Sequence, residues 1–575
     1  MATDDSLSAP ATATAETTPL LGSETASSLT ARDVSPLGSK AQDGEPPLSR
    51  ERVVCIVLSM WVLIFLQASN MSGISTTQGT IAADLDAYEN AMWLTSSYLI
   101  SMSSVAPLVG RFAQQFSPGA MILFSSFFFS LGAIVTSQAR SFAVFILGRV
   151  LVGVGGGGIM TLSLILVIQL TSKRRRGLMI GLTNAGFTIG LSTGAIAYGA
   201  LMPVVGWRAV FWMQSPLGMI GGLGVYFSIP SSATHPASKG QTTLQKLAAV
   251  DYVGALTLNI AIVFFLYSMS TPTIQFIPLL LSLLVLLPLF LLIESLPRLT
   301  PNPILPLSIL SDTGILFSCL SQLTFMAARW TVLFYAPVFA LAVRGLSPAA
   351  AGAALIPTNL GFGSGGLIIG WLHIRRAGSF WFASVVSLVL FGFVILALSG
   401  ASTLATPAWL YISIIFAHGL CTGAALNYTL AHLLHLSHPA EHFIVTGLLS
   451  TFRGFAGSFG TAIGGGLFGR TLRGALVDGF TLLDGQVPSE ARQKLITMLV
   501  GSPGAVYKLG VEERAVAILG YEIALKVLYR ASAAVCVLVL VLQAATGWKG
   551  PVMTEEEEEV IFEEVVVEHD GRMEA

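Results

Sequence analysis

Three arginines and one histidine interrupt long apolar runs of this chain. They are Arg149, Arg329, Arg453 and His418. An ionisable group deep in hydrocarbon is costly, so it is retained where it meets a substrate, an ion or a proton path, or pairs inside a helix bundle. Arg149 has two readings, a charge facing a cavity or a strut bonded to backbone carbonyls. Arg329, beside Trp330, suits a pocket wall. Arg453 suits a helix-packing face or a substrate contact. His418 has an unperturbed titration range near neutrality, which suits proton exchange; a packing role is the alternative. Gln67, Asn70, Gln322 and Asn427 add neutral polar groups inside other parts of these runs.

Carboxylates are missing from the same places. No Asp or Glu falls in the middle of an apolar run, whereas Asp84, Asp86 and Glu89 cluster just after the first. Asp86 and Glu89 join His418 as candidates for proton coupling. A buried cation without a nearby acid has no counter-charge. The residues therefore favour a neutral, anionic or zwitterionic solute over a bare cation at mid-depth, and they weaken a carboxylate relay.

The elements that would position these groups are membrane helices. Of 575 residues, 53% are hydrophobic and 11% charged, and the mean hydropathy is +0.75. A run of about 20 apolar residues spans a bilayer core as a helix, and strands of a closed barrel are much shorter. Fourteen spans are expected: 53–75, 90–109, 119–137, 142–168, 178–202, 208–229, 252–270, 273–294, 315–342, 349–372, 379–399, 405–430, 444–468 and 531–548. The fold class is thus all-α and integral to the membrane. It divides into a disordered tail (1–50), a six-helix bundle (51–230), a linker with two extra spans (231–300), a second six-helix bundle (301–548) with a long loop at 470–530, and an acidic tail (549–575).

Charge in the loops sets the expected orientation. Arg111, Lys173 to Arg176, Lys239, Lys246, Arg298, Arg375 and Arg376 lie in even-numbered loops. The short odd-numbered ones hold only Arg140, Arg208 and Arg344. The positive-inside rule then places both tails in the cytoplasm. In the first tail, Glu16 followed by Leu20-Leu21 resembles an acidic dileucine sorting signal, with Pro19 favouring an extended backbone. That motif favours a vacuolar or endosomal membrane, with a sorting adaptor complex as partner, over the plasma membrane. The four cysteines lie in apolar runs without metal-binding spacing. No phosphate-binding loop, nucleophile triad or metal cluster is present, so neither an enzyme nor a cofactor is expected, and nothing suggests a nucleic-acid partner.

The two halves echo each other. Gly110-Arg111-Phe112 follows the second span and Gly370-Trp371-Leu372 the tenth. Gly186, Gly190 and Gly194 in the fifth span are matched by Gly454, Gly457, Gly460 and Gly464 in the thirteenth. Small residues let helices approach closely, and parallel six-span repeats are a transporter plan. The run Gly148-Arg149-Val150-Leu151-Val152-Gly153 with Gly155 to Gly157 resembles the fourth-span arginine-glycine motif of the major facilitator superfamily. Trp207-Arg208-Ala209-Val210-Phe211-Trp212, Asp251-Tyr252-Val253-Gly254 and Leu346-Ser347-Pro348 fit the same family. The resemblance covers about residues 53–548. It is to the fourteen-span drug:proton antiporter branch, and within it to fungal vacuolar basic amino acid and multidrug transporters.

That resemblance implies a secondary transporter carrying a small organic or drug-like solute out of the cytosol by proton antiport and alternating access. It also implies a central cavity lined by spans one, four, nine and twelve, with Gly153, Gly186, Gly190, Gly194 and Arg453 in gating or packing. The alternatives are a vacuolar importer of basic or neutral amino acids and a non-transporting nutrient sensor. The chain departs from the family pattern at Asn70, which stands where the branch carries a first-span Asp, and at Gln114, Ser117 and Pro118 in the loop after the second span.

Overall fold

The computed structural model describes residues 49–170, 173–229, 251–271, 273–296, 307–372, 380–437 and 442–548. The dileucine motif, the acidic tail and most of the basic loops lie outside them. The described chain is built from helices: α1 (Arg50–Asp84), α2 (Trp93–Gln115), α3 (Pro118–Ser137), α4 (Phe142–Leu170), α5 (Lys173–Trp212) and α6 (Gln214–Ser228). Then come α7 (Tyr252–Ser270), α8 (Phe276–Glu294), α9 (Thr313–Ala342), α10 (Pro348–Ala353 continued by Leu355–Leu372), α11 (Trp381–Ala401) and α12 (Ala408–Leu436). Last are α13 (His442–Asp484), α14 (Glu490–Gly501) and α15 (Val511–Ala545).

Local sequence sets the starts and stops. Ser117 caps α3 by accepting from the Ala120 amide at 3.4 Å, with Pro118 at the first helical position. Asp312 caps α9 through the amides of Gly314 and Ile315 at 2.8 and 3.2 Å. Gly206, at φ 78°, breaks the helical run after α5's long stretch, so the sixth span begins at Trp207 and continues through α6. An L-residue at that φ would be strained.

Eleven of these helices are long and apolar enough to cross a membrane. The α2 helix, the Trp207-to-α6 segment and α13 complete fourteen spans. Large apolar side chains face outward; Ile277 on α8 is 82% exposed and Leu284 68%. Outward-facing leucines along a whole helix suit lipid rather than water.

Packing follows the internal repeat. Helix α1 packs on α5 as α9 packs on α13, α2 on α4 as α10 on α12, and α3 on α6 as α11 on α15. The two bundles meet through equivalent pairs, α2 with α13 and α10 with α5. The extra pair stands outside this symmetry, with α7 against α13 and α2.

One stretch differs from the sequence expectation. The segment 470–530, expected as a loop, is mostly helix: α13 continues to Asp484 and α15 begins at Val511. Leu472, Leu476 and Phe480 explain the extension. They recur every four residues and are fully buried beside Ala517, Tyr521 and Leu525 of α15. The charged residues between them kept the stretch from reading as a span. Between these helix ends, α14 and the short turn Pro503–Lys508 form a cap. Arg492 ties it down, pairing with Asp484 at 2.9 Å and Glu513 at 2.5 Å.

Candidate functional site

The bundles close against each other at the cap end. Gly199 of α5 lies against the backbone of Pro348 and Ala349, and Gly352 of α10 against that of Ala195 and Ile196. Any side chain at either glycine would hold the helices apart. Above this crossing the cap touches both bundles. Gly501 abuts the backbone of Tyr88 and Ser502 abuts Gly79 of α1, while the Tyr507 hydroxyl donates to the Val343 carbonyl of α9 at 2.7 Å. Inside, a space of about 20 Å³ is lined by Ser72, Thr95, Leu191, Trp330, Phe334 and Thr461, among others. That is room for roughly one water. In the opposite half, Gly447, Gly454 and Gly363 have nothing within 4 Å of an added Cβ. The molecule is shut at one end by this crossing and the cap above it.

Arg149 is an internal strut of the first bundle. It is fully buried; its Nε donates to the Leu94 carbonyl at 3.0 Å and its Nη1 to Asn70 Oδ1. Asn70 passes the chain on, donating to Gln214 Oε1 at 2.8 Å, and Gln214 donates to the Val210 carbonyl at 3.0 Å. Tyr98 and Phe211 face the guanidinium at 4.6 and 5.8 Å. Gln67 belongs to the same cluster, donating to the Tyr98 hydroxyl at 3.2 Å. Two amides thus replace an acid around this cation. All these partners lie in the first bundle. Gln214 and Tyr98 were missed by sequence reading, because neither is charged and neither stands out in composition.

Arg329 holds the corresponding depth in the second bundle but faces its neighbour. It is 4% exposed, stacks over the Phe362 ring at 3.8 Å, and its Nη2 donates to Asn359 Oδ1 at 3.4 Å. Asn359 in turn donates to Ser192 of α5 at 2.9 Å, crossing between the bundles. Arg453 and His418 both lie within electrostatic reach of Arg329. His418 is fully buried. Its Nδ1 shares a hydrogen bond with Thr358 at 3.0 Å, and its ring lies 5.3 Å from Phe391.

The other candidates divide between packing and surface. Gln322 accepts from Thr429 at 3.2 Å, joining α9 to α12, and Asn427 donates back to Gly423 of its own helix at 2.9 Å. Gly153 seats α4 on Tyr98 and Ser101, while Gly186, Gly190 and Gly194 seat α5 on Trp61, Phe65, Ala68 and Ser69 of α1. Asp86 and Glu89 are exposed on the turn after α1, away from the buried clusters. Asp86 takes φ 47°, a left-handed turn position that Asp tolerates. Asp84 pairs with Arg208 at 2.7 Å beside Trp207.

Two six-helix repeats meeting through symmetric helix pairs are a plan that membrane transporters use. Residues 60–461 match the Major Facilitator Superfamily, so the chain belongs to that family. Among curated relatives, the "MFS transporter L2" of a Phoma species is 25% identical over 84% of this chain and 80% of its own length. "Efflux pump FUS6" of Gibberella moniliformis is 26% identical, covering 88% and 90% respectively. "Multidrug resistance protein 3" of Bacillus subtilis is 24% identical, covering 79% and 86%. Among solved structures, an inward-facing bacterial homolog of the human lysosomal transporter Spinster superposes with a TM-score of 0.59. It shares 14% identity, and the match covers 88% of this chain and all of that one.

Proposed function

We propose that this transporter exports a small organic solute from the cytosol by alternating access coupled to proton antiport. The carrying observation is the backbone contact of α5 with α10 beneath the cap. Loop charge supports a cytoplasmic position for the half opposite the cap and for both tails. The structure then represents the state that loads from the cytosol, and release requires α5 and α10 to part. Relatives named as efflux pumps support the outward direction. In this reading Arg149 and Asn70 stiffen the first bundle, and His418 is the proton-handling group. The residues after span six (231–300) serve as an insert between two functional halves.

The test is solute flux into sealed vesicles carrying the purified protein, with and without an imposed pH gradient, across amphiphilic drugs and amino acids. Accumulation of a drug-like compound against its gradient, abolished by a protonophore, supports the reading. Gradient-independent flux removes the antiport. Selective movement of amino acids favours the importer, and no flux of any solute favours a sensor. For location, the Glu16-Leu20-Leu21 motif supports a vacuolar or endosomal membrane. A fluorescent fusion carrying Leu20→Ala/Leu21→Ala should move to the plasma membrane; unchanged placement refutes the signal.

A further inference from the structure

The second bundle holds two cations and no acid at the depth where substrate would pass. Helices α9, α10, α11 and α12 contain no Asp or Glu, and the two acids of α13, Asp478 and Asp484, lie at its cap end. The ion pairs on Asp84, Asp484 and Glu513 sit at the cap end. Arg149 differs from Arg329 in its surroundings. It is sealed within one bundle and its charge is spread over an amide, a carbonyl and a ring, with its Nη2 left unpartnered. Arg329 has one long bond to Asn359, and its Nε has no partner although it is buried. Arg453, one bundle-helix away, makes no hydrogen bond or ion pair among the described residues and is half-buried. A buried guanidinium short of partners is costly, and Gly457, one turn from Arg453, packs on Trp330 beside Arg329, which brings Arg453's stretch of α13 against Arg329's stretch of α9. A site of this kind is completed by an anion.

Its position fits a substrate rather than a structural ion. Trp330, adjacent in sequence to Arg329, lines the small space under the closed crossing. Gly457, one turn beyond Arg453, faces that same indole. Asn359 links the site to Ser192 of the opposing bundle, so filling it is felt by the helix that must move. On the opposite side, Gly454 and Gly363 border open space. Phe362 and Trp330 offer aromatic faces for an apolar body beside the charge.

We propose that Arg329 and Arg453 together bind the carboxylate of an amphipathic organic acid, which is the substrate class of this transporter. This rests on the export reading above and narrows it. The fluorescent acid dansyl-glycine and its neutral analogue dansyl-glycinamide differ only at the group in question. Both are titrated, in chloride-free buffer, into the full-length protein in lipid nanodiscs. Charge-assisted bonds to a buried guanidinium predict at least tenfold tighter binding of the acid. Arg329→Gln and Arg453→Gln should each erase most of that preference, and Arg329→Lys should keep part of it. Arg208→Gln, at the outer surface, should leave it intact.

Equal binding of acid and amide by the wild-type protein overturns the proposal whatever the variants do. So does a preference that survives both glutamine substitutions. Loss of acid binding on adding 150 mM chloride, with no acid preference before it, assigns the site to an inorganic anion and also overturns the proposal. The vesicle flux assay separates the two levels. Export of neutral or cationic compounds by a protein with no acid preference leaves the transporter reading standing and removes this one.

Discussion

Adding one methyl group at Gly352 should force the closed end open. A Cβ there would lie 2.5 Å from the Ala195 carbonyl carbon, 2.6 Å from its oxygen and 2.7 Å from the Ile196 nitrogen. Ordinary contact begins at 3.4 Å, so α5 and α10 must separate by about 3.4 − 2.5 = 0.9 Å. All three atoms are backbone, and no rotamer change relieves the clash. Overpacking of this kind costs about 1–3 kcal/mol. The cost applies to the closed state alone, because the helices are apart in the other. The equilibrium should shift by about fivefold to a hundredfold toward the state open at the cap end. The assay replaces Cys55, Cys319, Cys421 and Cys536 and introduces Ser72→Cys, whose side chain lines the small buried space. A membrane-impermeant maleimide is then applied from the cap side. Gly352→Ala should raise the labelling rate at least fivefold. Gly363→Ala, with nothing within 4 Å, should leave it unchanged. Equal labelling rates in both well-inserted variants would refute the account of the closed crossing.

Three further outcomes follow from the described geometry. Arg149→Lys should insert normally yet lose most transport, because a point charge cannot reach both Leu94 and Asn70; flux near the wild-type level would reject the strut. His418→Gln should flatten the pH dependence of transport more than it lowers the maximal rate, and an unchanged profile removes His418 from proton handling. Arg492 holds the Asp484 carboxyl below the usual carboxylate range, chiefly through its hydrogen bond. A depressed carboxylate contributes stability above its unfolded value and loses it as pH falls through the folded one. The cap should therefore stay latched at neutral pH and loosen only in acid, below the ordinary carboxylate range. Cross-linking of Gly79→Cys to Ser502→Cys should report this, with Arg492→Ala loosening the cap at neutral pH.

The membrane helices were legible because hydrocarbon imposes a length and a composition that soluble folding does not. Arg149, Arg329 and His418 stood out for the same reason. Their partners did not. Gln214, Asn359 and Thr358 are neutral groups whose meaning comes only from which helices meet. The extension of α13 and α15 was hidden because Arg470, Arg473 and Asp478 lower the average hydropathy, although Leu472, Leu476 and Phe480 keep a buried stripe. Gly199 and Gly352 carry the backbone contact between bundles at the cap end. Nothing in one chain's order says that they face each other.

The length of α13 has a mechanical consequence. Its 43 residues span roughly 64 Å at 1.5 Å per residue, about twice the thickness of a hydrocarbon core. Arg453 sits near one end and the cap is fastened at the other by Arg492 and Asp484. The helix is a lever arm. A rock of about 10° pivoting near Arg453 would swing its tip by several ångströms, to the extent the helix stays straight. A displacement too small to see at the guanidinium becomes a large one at Ser502 and Gly501. A fluorophore placed on α14 would then read each turn of the cycle from outside the membrane, and a binder that clamps α14 to the Tyr88 turn would stall it without entering the pore.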